Sequence, residues 1–269
     1  MKAIADEGFS SAARPDGREP GGAAPLGERK AFAEGYESLT FTMVSRAERE
    51  LTVTLAVQPL FDLARSAIVG RRVRRTGRHQ GGEAALFALG RRSLETTDLK
   101  RIDLQTLKHG LDLLPPTEGH ARILPVYWRT VASSGGRFAL LCAELQQDEA
   151  PGGLLVEIVG GLENAPPDAV REAISHFGLA DLGVVAHIAP DAASARRLAP
   201  AQLQCLSIDF AGVAHDNVRD WEEAARLILV ASQAAPQVLL LNLRPDRGLA
   251  ARAAGATHAV FTGMEPITV

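Results

Sequence analysis

Eight apolar runs of strand length recur along this 269-residue chain, and the connections between them limit what it can fold into. They lie near residues 51–58, 68–74, 121–128, 153–159, 182–188, 204–209, 237–243 and 257–262. Helical patterns separate most of them. Pro166-Pro167 opens one helix, because a proline in the first turn gives up an N–H that has no partner within the helix. Asp98 is placed to cap another, in which Leu99, Ile102, Leu107, Leu111 and Leu114 recur at roughly helical spacing. Residues 218–235 and 246–255 read as two more. This alternation predicts an α/β fold in the form of a closed, TIM-like β/α barrel, with a doubly wound open sheet as the competitor. The first two strands are joined by Phe61–Ala67. A parallel crossover needs about a dozen residues or more, so the first strand should run antiparallel to the second.

The flanking chain differs in character. Residues 1–27 combine glycines and prolines with almost no large apolar side chains, so burial cannot offset the entropy of ordering and a disordered tail is expected. Residues 28–50 are expected to form an N-terminal helix, with Phe32, Leu39 and Met43 near one face. Residues 51–269 then form the barrel domain. Hydrophobic residues at 46% and charged residues at 23% suit an ordinary buried core. The net charge of -3 supplies no field that calls for nucleic acid or an anionic membrane. No run approaches ~18 apolar residues, and the N-terminus lacks the apolar core of a secretion signal. Cys142 and Cys205 both fall inside apolar runs, as buried reduced thiols would. Together these features point to the cytoplasm.

Motifs on the first two runs suggest a family. Val57-Gln58-Pro59-Leu60-Phe61-Asp62-Leu63, followed by Val69-Gly70-Arg71-Arg72-Val73-Arg74, resembles the opening strands of EAL domains, phosphodiesterases that cleave cyclic di-GMP. The resemblance extends over roughly residues 51–269 and implies an EAL-type β/α barrel with its first strand antiparallel. It also implies a mouth where acids and an asparagine hold two metal ions that activate a water. In this chain the naming Glu-Ala-Leu has become Arg72-Val73-Arg74, so a cation stands where an anion would hold a metal.

The same comparison runs along the later strands. Gln58 matches the family's nucleotide-contacting glutamine, and Tyr127 falls where an asparagine ligand would be. Glu157 matches an acid of the fourth strand, whose second glutamate is Gly160. On the fifth strand the paired aspartates give way to residues near Ala186-His187-Ile188-Ala189. Ser207 replaces the lysine of the sixth strand, Asp209 is retained, and Asn242 is the stand-in on the seventh. Glu157 and Asp209 are the only acids that align, whereas two divalent ions want about four acidic ligands. The resemblance thus implies no catalytic residue, no metal and no cofactor. Gln58, Arg72, Arg74, Glu157, Asp209 and Asn242 remain as vestigial or candidate ligand-binding residues.

Within the run Arg71 to Arg75, strand alternation puts Arg72 and Arg74 on one face and Arg71 and Arg75 on the other. Arg72 is expected to enter the mouth and pair with Glu157 or Asp209, with Glu157 favoured, because a guanidinium cannot deprotonate and cannot stay unpaired when partly buried. His187 could join Glu157 and Asp209 in a metal site only with a second histidine, and the pattern places none at a strand end. The expected function is an inactive EAL-like signalling module that contacts a protein partner in cyclic di-GMP-linked regulation. The alternatives are a non-catalytic receptor for cyclic di-GMP or another nucleotide and, behind it, a residual phosphodiesterase. Nucleic acid and membrane are not expected partners. The segment 28–50 is a candidate dimerisation element for a homodimer.

Overall fold

The connection Phe61–Ala67 is a tight turn made by the side chain of Asp62. Its Oδ1 accepts the amides of Ala64 and Arg65 at 2.7 and 2.9 Å, and Ser66 closes the turn at a left-handed φ of 51°. The computed structural model describes residues 38–79, 82–84, 94–143, 153–213 and 218–263. Ten strands appear there: β1 (Ser38–Val44), β2 (Glu50–Asp62), β3 (Ala67–His79), β4 (Gly82–Ala84), β5 (Ala121–Tyr127), β6 (Leu154–Val159), β7 (Gly183–Ile188), β8 (Cys205–Asp209), β9 (Gln237–Leu243) and β10 (His258–Phe261). The described helices are α1 (Thr96–Leu113), α2 (Trp128–Ala132), α3 (Ser134–Ala143), α4 (Pro167–Gly178), α5 (Ala192–Leu198), α6 (Val218–Ala234) and α7 (Gly248–Ala253).

The eight expected strands all form, and they close on themselves. From β10 back to β5 and on to β3, neighbours pair in parallel. β2 pairs antiparallel with both β3 and β10 and so seals the barrel against the run of its neighbours. The closed barrel, rather than the open sheet, is the outcome. Closure requires β3 and β5 to approach closely at Gly70, where a Cβ would stand 2.3 Å from the Ala121 carbonyl oxygen.

The region before the barrel differs from expectation. Residues 38–44 form β1, a strand that continues the sheet beyond β2 over seven residue pairs, and not the second half of a helix over 28–50. The alternation Leu39, Phe41, Met43 against Thr40, Thr42, Val44 has period two, and it overrides the weaker helical reading. The proposed tail 1–27, and residues 28–37 of the proposed helix, lie outside the described residues.

Two apolar layers follow from the alternation of each strand. Inside the barrel, Leu60, Val69, Ile123, Leu155, Val185, Cys205, Leu239, Leu241 and Val260 fill the interior with Ala121. Outside it, Leu124, Val126, Val156, Ile158, Leu206, Ile208, Val238 and Leu240 meet the helices. Strands buried on both faces explain why the sequence shows near-continuous apolar runs. In α4, Val170, Ala173 and Phe177 form the stripe that faces the sheet, behind the expected opening at Pro166-Pro167.

Helix α1 ties the β1–β4 extension to the barrel by charge. Its N-cap is Glu95, with Asp98 inside the first turn, so Asp98 does not cap the helix as its position suggested. Its two carboxylate oxygens accept the Arg46 amide at 3.1 and 3.3 Å and hold the β1–β2 turn. One helical turn further on, buried Asp103 accepts Arg75 Nη1 at 2.7 Å and the Tyr127 amide at 3.1 Å. The Arg75 guanidinium stacks over the Tyr127 ring, 4.1 Å from its centroid, and also donates to Thr106 at 3.1 Å.

Removing one partner from a buried pair leaves an uncompensated charge. We therefore expect Asp103→Ala to lower the unfolding free energy by about 3–5 kcal/mol, read from urea melts. A loss below about 1 kcal/mol would show that the pair is not a structural tie.

Candidate functional site at the barrel mouth

At the carboxyl ends of the parallel strands, polar side chains replace the apolar interior. Gln58 on β2, Arg72 on β3, Glu157 on β6 and Ser207 on β8 point inward one layer above the core cluster, and all four are buried. Glu157 is 0% exposed and Arg72 8% exposed, so their mutual geometry decides whether either charge is tolerable. Arg72 Nε donates to Glu157 Oε2 at 2.7 Å, and its Nη1 donates to Gln58 Oε1 at 2.9 Å. Ser207 Oγ donates to the other carboxylate oxygen at 2.8 Å. With its proton there, the serine oxygen is left to accept from His187 Nδ1, 3.0 Å away. A continuous chain results: Gln58, Arg72, Glu157, Ser207, His187.

The expected pairing of Arg72 with Glu157 is therefore present. Burial by itself would raise the Glu157 pKa. The Arg72 charge, helped by the nearby His187 ring and the hydrogen bond from Arg72, outweighs it and brings the pKa down to about 2. One layer deeper, burial and then the Glu157 charge push the Cys205 thiol up to about 12, so it is inert as a nucleophile.

Asp209 makes a separate pair. Its Oδ1 accepts Asn242 Nδ2 at 2.7 Å and the Ala211 amide at 2.8 Å. Asn242 follows the inward Leu241 and would point outward by simple alternation. Its left-handed φ of 55°, which asparagine tolerates better than most residues, aims it into the mouth. Gln58, Arg72, Asp209 and Asn242 border a cavity of about 190 Å³, whose wall also includes Arg74, Arg75 and His187. Arg72 and Arg74 border the mouth as alternation required and Arg71 is exposed, but Arg75, which alternation put on the other face, borders the cavity as well.

All six candidate residues thus meet at one end of the barrel: Gln58, Arg72 and Glu157 in one group, Asp209 and Asn242 in a second, and Arg74 on the cavity wall. The Arg75–Asp103–Tyr127 cluster went unseen in the sequence. A signal was there, because Asp103 lies on the apolar stripe of α1 with Leu99, Thr106, Gly110 and Leu113. A carboxylate on a core-facing stripe requires a buried cation.

The donor set does not fit the two divalent ions that the motif implies. Both oxygens of Glu157 are occupied by hydrogen bonds from Arg72 and Ser207. Among the described residues, no cluster of three or more His, Cys, Asp or Glu side chains has metal-holding geometry. Among those residues no helix is long and apolar enough to cross a membrane.

Two outcomes follow. Arg72→Met strands a buried carboxylate and should cost about 3–5 kcal/mol, whereas adding Glu157→Gln should recover more than half of that loss, measured as a double-mutant cycle in urea. The second concerns acid. A carboxyl whose folded pKa lies below its ordinary value of 4.5 stabilises the fold above that value, and the contribution fades as pH falls toward about 2. Thermal stability should therefore drop less steeply between pH 4.5 and 2 in Glu157→Gln than in the parent chain.

Comparison with known proteins bears on the fold. The sequence matches no family model and no curated protein. Solved structures do match. The EAL domain protein from Listeria monocytogenes EGD-e superposes with a TM-score of 0.54 at 13% identity, covering 77% of this chain and 85% of that one. The FimX EAL domain of Xanthomonas citri, in complex with c-diGMP, gives 0.55 at 14% identity over 78% of this chain and 85% of the other. The EAL enzyme Bd1971, in its form with cAMP and cyclic-di-GMP bound, gives 0.53 at 16% identity over 79% of this chain, which spans 61% of its length. At these identities the likeness is one of architecture, and the architecture of this chain is that of the EAL domains.

Proposed function

We propose that this chain is a catalytically inactive EAL-fold module that acts by contact with a protein partner in cyclic di-GMP-linked regulation. One observation carries the proposal: Arg72, which by the motif resemblance stands where the family's metal-binding glutamate would, closes a 2.7 Å ion pair on Glu157. The tethered guanidinium supplies the positive charge that a metal would otherwise supply, but it cannot polarise and deprotonate a bound water as a metal can. Tyr127, which the resemblance sets against the asparagine ligand, lies under Arg75 as part of a structural stack.

A second reading has its own observation. Gln58, Arg74 and Asn242 border the mouth cavity, and such a set could hold a nucleotide without cleaving it. The FimX and Bd1971 neighbours carry bound cyclic nucleotides, which keeps this receptor reading in view. Size favours the first reading. The cavity of about 190 Å³ is smaller than the roughly 300–1,000 Å³ of sites that enclose small ligands.

Calorimetric titration with cyclic di-GMP, with and without magnesium, separates the readings when run beside a hydrolysis assay. The expected result is no turnover and no binding heat. Binding without turnover would move the assignment to the receptor. Metal-dependent turnover that Glu157→Ala abolishes would overturn both.

A further inference from the structure

β1 ends the sheet, and among the described residues it pairs only with β2. Natural proteins protect such an edge with charges, prolines, bulges or short length. The opposite edge follows that practice, since β4 spans only Gly82–Ala84. β1 does not. Its seven residues, Ser-Leu-Thr-Phe-Thr-Met-Val, include no charge, no proline and no glycine, and its register with β2 is unbroken.

The edge also has a direction and a symmetry. The Ser45 amide bonds the Arg49 carbonyl oxygen, so Ser45 turns its backbone groups toward β2. By antiparallel alternation Met43, Phe41 and Leu39 do the same, while Val44, Thr42 and Thr40 direct theirs outward. The Val44 carbonyl confirms this phase, because it is reached from outside by Arg101 Nη1 at 3.0 Å. Around Phe41 the strand is chemically palindromic: threonine on each side, then Leu39 and Met43. Those three apolar residues pack on the core yet are only half-buried.

We propose that β1 is a self-pairing edge, through which two copies of this chain join antiparallel about a two-fold axis at Phe41. In that register Thr40 faces Thr42 of the second copy as a hydrogen-bonded pair, with the outward N–H and C=O groups of both satisfied. Phe41 faces Phe41 as a non-hydrogen-bonded pair, where side chains approach most closely and an aromatic pair adds to burial. Leu39 meets Met43 on the same face, so the apolar layer over α1 runs on into the second copy. The contact is isologous and closes at two chains. It is independent of what the barrel mouth binds.

The test uses the full chain. Sedimentation velocity at micromolar concentration should give twice the 28.6 kDa of one chain. Thr40→Pro removes an outward amide that makes no bond to β2, a substitution an edge strand tolerates, and should shift the mass to one chain with an unchanged circular dichroism spectrum. Phe41→Cys should form an intermolecular disulfide on mild oxidation, because only the two-fold register brings these positions within bonding distance. The parent chain, with Cys142 and Cys205, serves as the control and should not cross-link. A monomeric parent chain would overturn the proposal and assign the edge to another occupant. A dimer that survives Thr40→Pro would overturn it in favour of a different surface.

Discussion

Glu157 sits at the centre of the barrel with no exposed surface, and an ionised carboxylate survives there only with a cation in contact. Desolvating a lone carboxylate costs several kcal/mol even after relaxation. Arg72 meets that need from the neighbouring side of the barrel, and its own remaining donors need partners in turn. Gln58 takes Nη1, and Ser207 satisfies the second carboxylate oxygen. The whole polar layer is therefore one connected unit resting on an apolar floor. Each member is held by the next, so the arrangement of the mouth depends on the charge pair at its middle.

The strand that carries this pair also ties the barrel to its outer layer. Three arginines of β3, Arg72, Arg74 and Arg75, border the mouth cavity, and Arg75 also reaches Asp103 on α1. Asp103 also bonds the Tyr127 amide at the end of β5. The mouth wall and the helix layer thus share two strands. Displacing α1 would disturb the rim at Tyr127 and Arg75 together.

Much of this was legible along the chain. The strand runs are apolar on both faces because helices cover one side and the barrel interior fills the other, so all eight could be located. The short link after Phe61 dictated the reversed strand by its length. Arg72 could be assigned to Glu157 because a buried guanidinium must find an anion and few acids were within reach. β1 was misread because Leu39 and Met43 fit a helical repeat as well as a strand repeat, and only pairing with β2 distinguishes the two. Asp98 was misread for a related reason. The helix begins two residues before it, at Thr96 with Glu95 as N-cap, so Asp98 lies inside the first turn and its carboxylate accepts the Arg46 amide instead.

What the sequence determined by itself is periodicity, connection length and residue type, which are local properties. They suffice for the order of strands and helices and for the antiparallel entry; that Arg72 stands in place of a metal-binding acid is what the resemblance to EAL domains implies. Tertiary structure decided which charges meet. Arg72 and Glu157 lie 85 residues apart, and Arg75 and Asp103 lie 28 apart. Closure of the barrel brings the first pair into contact, and packing of α1 brings in the second. Closure also decided the pairing: Arg72 meets Glu157, while Asp209 accepts from Asn242, which its left-handed backbone turns inward. Such choices follow from distances across the barrel, which no local pattern records.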